Sequence, residues 1–390
     1  MNSNYGVNRE FWRVEKFSLI LLVVGLFLSS ARYASLIMGI AGLLYVAKFP
    51  RLNHSLDGEH FLLLLSFVII FLTNIIRHNS LYWSAYLCLT PLFFYQLGRC
   101  FMSRWQSEDN LFLLLLLLAI SLGTVHIRLT IDDIIHTGII NPERVLSNID
   151  EDHQRATTQR ATEISLCFFG FSLLSYKPKN SFQRIAKSCF VIIGILALLC
   201  GFHYVSRTSV FLSLITMLTG IFLSRDKSHK SGFLSIMVFT MFFLLVLVVI
   251  GGSNTVFRLF HLYQSRGMSG ANVASAGGRQ DFWTQAISVI FHHPFGTKVD
   301  FFAHNLWLDV GIQFGIFPFV LLAWFSVTNF RKAIRIVRRK QESPLVRLCV
   351  CSFSILFFLS CFTEPIHVSS PNYLFVYMMF CGMINSIYHG

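Results

Sequence analysis

Long apolar runs alternate along this chain with short polar segments. A bilayer core about 30 Å thick needs roughly 20 apolar residues per helix, at times as few as 17. By that measure twelve runs predict spans, at about 17–33, 34–49, 60–76, 80–101, 110–127, 162–176, 187–205, 208–224, 232–252, 306–329, 346–363 and 371–388. The first two are short and nearly fused, with Arg32 and Tyr33 between them. Met1–Lys16 and the run ending Ser29-Ser30-Ala31 imitate a signal peptide, but eleven further spans favour a retained helix. The pattern predicts an all-α polytopic bundle, residues 1–390 forming one integral membrane domain. Two long polar segments, 128–161 and 253–305, interrupt it on one side.

Composition agrees. Apolar residues make up 54% and charged residues 13%, about half the charged share of a soluble domain. Mean hydropathy is +0.60. The net charge of +13 would suggest nucleic acid in a soluble protein. Threading the spans with both termini inside puts 21 basic and 8 acidic residues on the inner side, and 11 of each on the outer side. Orientation therefore accounts for the whole excess, and no nucleic-acid partner is needed. The outer basic residues are ten Arg and one Lys. Orientation does not ask for arginine there, whereas a planar guanidinium fork suits phosphate. The nine cysteines lie in or beside apolar runs without CxxC spacing, so neither a disulfide framework nor a zinc site is suggested.

Asp150-x-Asp152 in the first polar segment has the spacing of a weak metal-binding pair, though a solvated loop explains it better. The chain has no fixed-period repeat, P-loop or glycine-rich dinucleotide motif. In the second segment, Arg279-x-x-x-Trp283-x-x-Ala286 opens an amphipathic stretch with Trp283, Ala286, Ile287 and Ile290 at helical spacing. That stretch suits a membrane interface, with Trp283 as an anchor. Then come His292-His293-Pro294-Phe295-Gly296, His304-Asn305, and Gly311 and Gly315. His292 and His293 match no chemistry, and Pro294 and Gly296 suit a turn.

These motifs, with Ser206-Arg207-Thr208 beyond an earlier run, resemble the O-antigen ligase/polymerase superfamily of bacterial envelope glycosyltransferases. The resemblance is sharpest over 200–320. It implies a GT-C-like inner-membrane fold with an outward, periplasm-facing cavity, where undecaprenyl diphosphate-linked glycan is passed to an acceptor hydroxyl. It also implies Arg207, Arg279 and His304 as catalytic residues, the two arginines binding the diphosphate. Fixed guanidiniums can stabilise the charge that a departing diphosphate concentrates, so neither metal nor cofactor is called for. His304 either takes the hydroxyl proton, positions the acceptor or binds phosphate. The structural alternatives are a snorkelling anchor for Arg207 and an exposed loop charge for Arg279.

Supporting candidates are fewer in their claims. Asn305 suits a helix cap. Asp309 is an ionisable residue one turn into a span, or the partner of an outer arginine. Glu364 orients His304, pairs with an arginine or is an exposed turn acid. Arg160 has Glu163 three residues on, the spacing of a local ion pair.

The acceptor is a second lipid-linked repeat in a polymerase and lipid A-core in a ligase. The short interval from Arg279 to His304, and Pro318 three residues after Gly315, lean to the polymerase. A chain-length regulator and a flippase are then expected partners. An envelope glycan transporter and a non-catalytic scaffold are the other classes. Against the transporter, the charged residues cluster at one face rather than at the midplane, and no matched pair of broken helices is legible in the two halves.

Overall fold

The computed structural model describes residues 58–77, 80–104, 107–141, 146, 153–223, 261–262, 279–298 and 301–389. The expected spans at 17–33, 34–49 and 232–252, and Asp150-x-Asp152, lie outside them. Every regular element among the described residues is helical. In chain order these are α1 (Gly58–Ile76), α2 (Leu81–Arg104), α3 (Glu108–Thr137), α4 (His153–Ile164), α5 (Phe169–Ser172), α6 (Ser181–His203), α7 (Arg207–Leu223), α8 (Arg279–His292), α9 (Leu306–Phe314), α10 (Ile316–Arg338), α11 (Pro344–Thr363), α12 (Ile366–Ser369) and α13 (Pro371–His389).

Four of them, α1, α3, α6 and α11, are long and apolar enough to cross a membrane. The burial pattern is that of a lipid-facing bundle. Along α1, Phe61, Leu72 and Ile76 are 59%, 52% and 74% exposed, while Ser66 and Asn74 are 0% and 6% exposed. In water this arrangement would leave a large apolar surface uncovered; in lipid it is the favoured one. Helix starts follow ordinary capping chemistry: Ser107, Asn180 and Ser343 accept from the backbone of α3, α6 and α11.

With no hydrophobic drive between helices in lipid, small residues permit close packing. Helices α2 and α13 cross on Gly98 and Gly382. A Cβ at Gly98 would stand 1.9 Å from the Met379 carbonyl oxygen, and one at Gly382 1.9 Å from that of Tyr95. Backbone therefore touches backbone at both points.

Two expected spans are not continuous helices. Over 162–176 the chain passes through two short 3₁₀ segments, Ser165–Phe168 and Leu173–Ser175, on either side of α5. The Ser165 and Ser172 hydroxyls donate to the carbonyls three residues back, at 2.6 and 2.7 Å, which tightens the coil. Over 306–329 the chain doubles back. The Trp307 indole donates to Ser326 Oγ at 3.0 Å, whereas a straight helix would hold residues nineteen apart roughly 28 Å from one another. The turn is at Gly315, with φ +98°. Helix α9 thus re-enters alongside α10, and α10 alone has the length of a span. The first long polar segment is also shorter than its sequence suggests, because α3 continues to Thr137 and α4 begins at His153.

Candidate functional site

The turn at Gly315 is locked from the side. Ile316 N–H donates to the Pro294 carbonyl at 2.9 Å, and Thr297 N–H to that of Ile312 at 2.8 Å. A Cβ at Gly315 would lie 2.3 Å from the Pro294 oxygen, and one at Gly296 2.4 Å from the Gln313 oxygen. Pro294-x-Gly296 and Gly315 are therefore two halves of one interlock, which explains their joint appearance in the motif. Arg77, at the end of α1, donates to the Gln313 carbonyl and, at 3.4 Å, to that of Phe295. Burial lowers the pKa of its guanidinium from the ordinary value.

The interlock fixes α8 and α9 side by side, and between their first turns lies the segment 301–305. Asp309 holds this segment by its backbone: its carboxylate accepts from Ala303 N–H at 2.7 Å and Asn305 N–H at 3.2 Å. Its partners are backbone amides, not an outer arginine. Asn305 Oδ1 accepts from Trp307 N–H and Leu308 N–H, so it caps α9. The Trp283 indole is tied into the fold: it donates to the Ala303 carbonyl at 2.9 Å and its ring meets Phe362 edge-on at 4.8 Å. Between these supports His304 takes φ +52°, a left-handed conformation uncommon outside glycine but several-fold enriched for His, Asn and Asp.

His304 opens onto a cavity of about 130 Å³, lined also by Arg207, Arg279 and Glu364 and by Thr157, Thr158, Ala161, Tyr204, Val205, Ser206 and Thr208. Three helices begin at it: α7 with Arg207, α8 with Arg279, and α9 just after His304. Glu364 joins the two arginine-bearing helices. Its Oε1 accepts from Thr208 Oγ1 at 3.1 Å and lies 3.6 Å from Arg279 Nη2. The four sequence candidates thus converge from segments as far apart as 207 and 364. With two guanidiniums against one carboxylate, the cavity suits an anion, and it has a titratable imidazole beside it.

Arg160 is placed differently. It is buried and pairs with Asp133 of α3, and its Nη1 lies 3.1 Å from Tyr204 Oη. Glu163 is paired instead with His126, at 2.8 Å. The expected Arg160–Glu163 pair is therefore absent, because the two side chains meet different turns of α3. Asp133 and Tyr204 were not legible as site residues: neither stands in a motif, and only the fold brings them near. His292 is exposed, with Nδ1 2.8 Å from the Ser288 carbonyl oxygen, away from the cavity. Eight cysteines are free thiols, and no cluster of metal-ligating side chains occurs among the described residues.

Behind Glu364, α12 carries His367, buried with its ring edge-on to Phe314 at 5.3 Å. Neither ring nitrogen has a hydrogen-bond partner among the described residues, and burial pushes its pKa down to about 4. Unfolding lets the ring regain the ordinary value of 6.5, so the unfolded chain binds the extra proton between these values. Stability from this residue is complete above about pH 6.5 and falls as pH drops towards 4, by up to about 1.4 kcal/mol per pH unit. Melting curves of wild type and His367→Leu are expected to diverge across that window and run parallel above it. Parallel curves throughout would refute the assignment.

No family model matches the chain, and comparison with curated proteins finds no match.

Proposed function

We propose that this protein is a membrane glycosyltransferase that polymerises undecaprenyl diphosphate-linked repeat units of O-antigen or a related surface polysaccharide. One observation carries the reading: Arg207, Arg279, His304 and Glu364 line a single cavity. In the reaction the acceptor hydroxyl attacks the anomeric carbon, and the bond from that carbon to the diphosphate oxygen breaks. Arg207 and Arg279 receive the charge that collects on the diphosphate. His304 takes the proton from the hydroxyl, and Glu364 keeps Arg279 and Thr208 in register. The cavity faces the periplasm of the inner membrane in this reading, which places the basic end of α10 in the cytoplasm.

The acceptor distinguishes polymerase from ligase. Loss of a polymerase leaves lipopolysaccharide with core plus one repeat; loss of a ligase leaves bare core, with lipid-linked polymer accumulating. Purified protein given the lipid-linked repeat alone is expected to form a ladder. A ladder that appears only as product on added lipid A-core would instead make it the ligase.

A transporter of envelope glycans is the second reading. The doubling back at Gly315 and the 3₁₀ interruption over 165–175 favour it, since broken helices at depth are a transporter feature. Glycan flux across sealed vesicles without any bond exchange would select it.

A further inference from the structure

The link from α6 to α7 carries a conformation that its sequence does not favour. Val205 has φ +49°, a genuine outlier for a β-branched residue. Around it the backbone forms a helix-ending motif: Val205 N–H donates to the Phe202 carbonyl and Ser206 N–H to that of Gly201, both at 2.9 Å. Glycine normally occupies the left-handed position of this motif. Ser206 Oγ then accepts from Ser209 N–H at 3.2 Å and starts α7, whose first residue is Arg207.

Strain of this kind persists only where the surroundings over-determine it. Here the surroundings are the residue before. Tyr204 is 1% exposed. Its hydroxyl accepts from Arg160 Nη1 at 3.1 Å and has Thr130 Oγ1 and Asp133 Oδ2 as acceptors for its own proton, each at 3.1 Å. The anchor is rigid because all of these groups are buried and Asp133 is paired with Arg160. The preceding residue is tied as well: Asn141 N–H donates to the His203 carbonyl at 2.8 Å.

We infer that Tyr204 is a positioning residue: anchored to the Arg160–Asp133 pair, it holds Val205 in the left-handed turn and thereby fixes where Arg207 meets an anion in the cavity. This rests on the reading of Arg207 as a diphosphate-binding group. It also gives the buried Arg160 a purpose that a local ion pair with Glu163 would not.

The test separates turn geometry from contact with substrate. Tyr204→Phe removes one hydroxyl and leaves the Arg160–Asp133 pair intact. It is expected to weaken binding of inorganic diphosphate to the purified full-length protein about tenfold, and to slow glycan transfer in the same proportion. Val205→Gly supplies the left-handed conformation without strain. Added to Tyr204→Phe, it is expected to restore binding to within about threefold of wild type. Thr130→Val, which withdraws one acceptor, is expected to give a smaller loss repaired in the same way. Binding unchanged by Tyr204→Phe, or a loss that Val205→Gly does not repair, overturns the inference. So does a wild-type protein that binds no diphosphate. Diphosphate binding that follows this pattern in a protein without transferase activity would support the positioning and refute the reaction.

Discussion

Replacing Arg207 or Arg279 with alanine is expected to lower glycan transfer about 100- to 1,000-fold, the cost of removing one fixed donor from a developing negative charge. Folding should survive both changes. Arg207 is exposed at the start of α7, and Arg279 makes only a 3.6 Å contact with Glu364 through a partly exposed side chain; such pairs contribute about 0–1 kcal/mol. The conservative Arg→Lys changes should recover part of the rate at most, since lysine keeps the charge and loses the fork. The double alanine variant is the sharper measurement. If both guanidiniums hold one diphosphate, its loss will be smaller than the product of the two single losses. Variants that insert and melt normally with full transfer activity would remove both arginines from the site.

Asp309→Ala is expected to have the second large effect, although Asp309 is not among the cavity-lining residues. Its carboxylate holds the amides of Ala303 and Asn305, the neighbours of His304 on either side. Alanine would leave two buried N–H groups without acceptors, at about 1–3 kcal/mol each, and would release the left-handed turn that aims the imidazole. Transfer should fall by about two orders of magnitude if His304 loses its place as proton acceptor, together with a lower melting temperature. His304→Ala should match that loss of rate without the loss of stability. If Asp309→Ala destabilises the protein but leaves its residual folded fraction fully active, the aspartate is structural alone.

Much of the site was legible because its four central residues stand in an ordered pattern: an arginine after one apolar run, Arg-x-x-x-Trp before another, then His-Asn and an acid at 364. What the pattern lacked was geometry. Continuous apolarity over 306–329 reports burial, not direction, so the reversal at Gly315 was hidden inside an apparent span. The run 162–176 misled in the same way, since serine hydroxyls that compete for backbone carbonyls leave its hydropathy unchanged. Trp283 has the composition of an interface anchor, but its indole proton is used inside the fold. A valine in a left-handed turn has no sequence signal at all. The transporter reading gains accordingly, because two interrupted segments do exist and Trp307 of α9 lies against Ser326 in the middle of α10.

The three helices that begin at the cavity add something that no single side chain supplies. Each helix start carries the equivalent of about half a positive charge, and Arg207 and Arg279, the first residues of α7 and α8, line one volume with His304, two residues before α9. Part of the attraction for an anion is therefore built into the backbone and persists when a guanidinium is removed. Inorganic phosphate or sulfate should compete for the same volume, so an assay run in phosphate buffer would understate the affinity for donor even with every side chain in place.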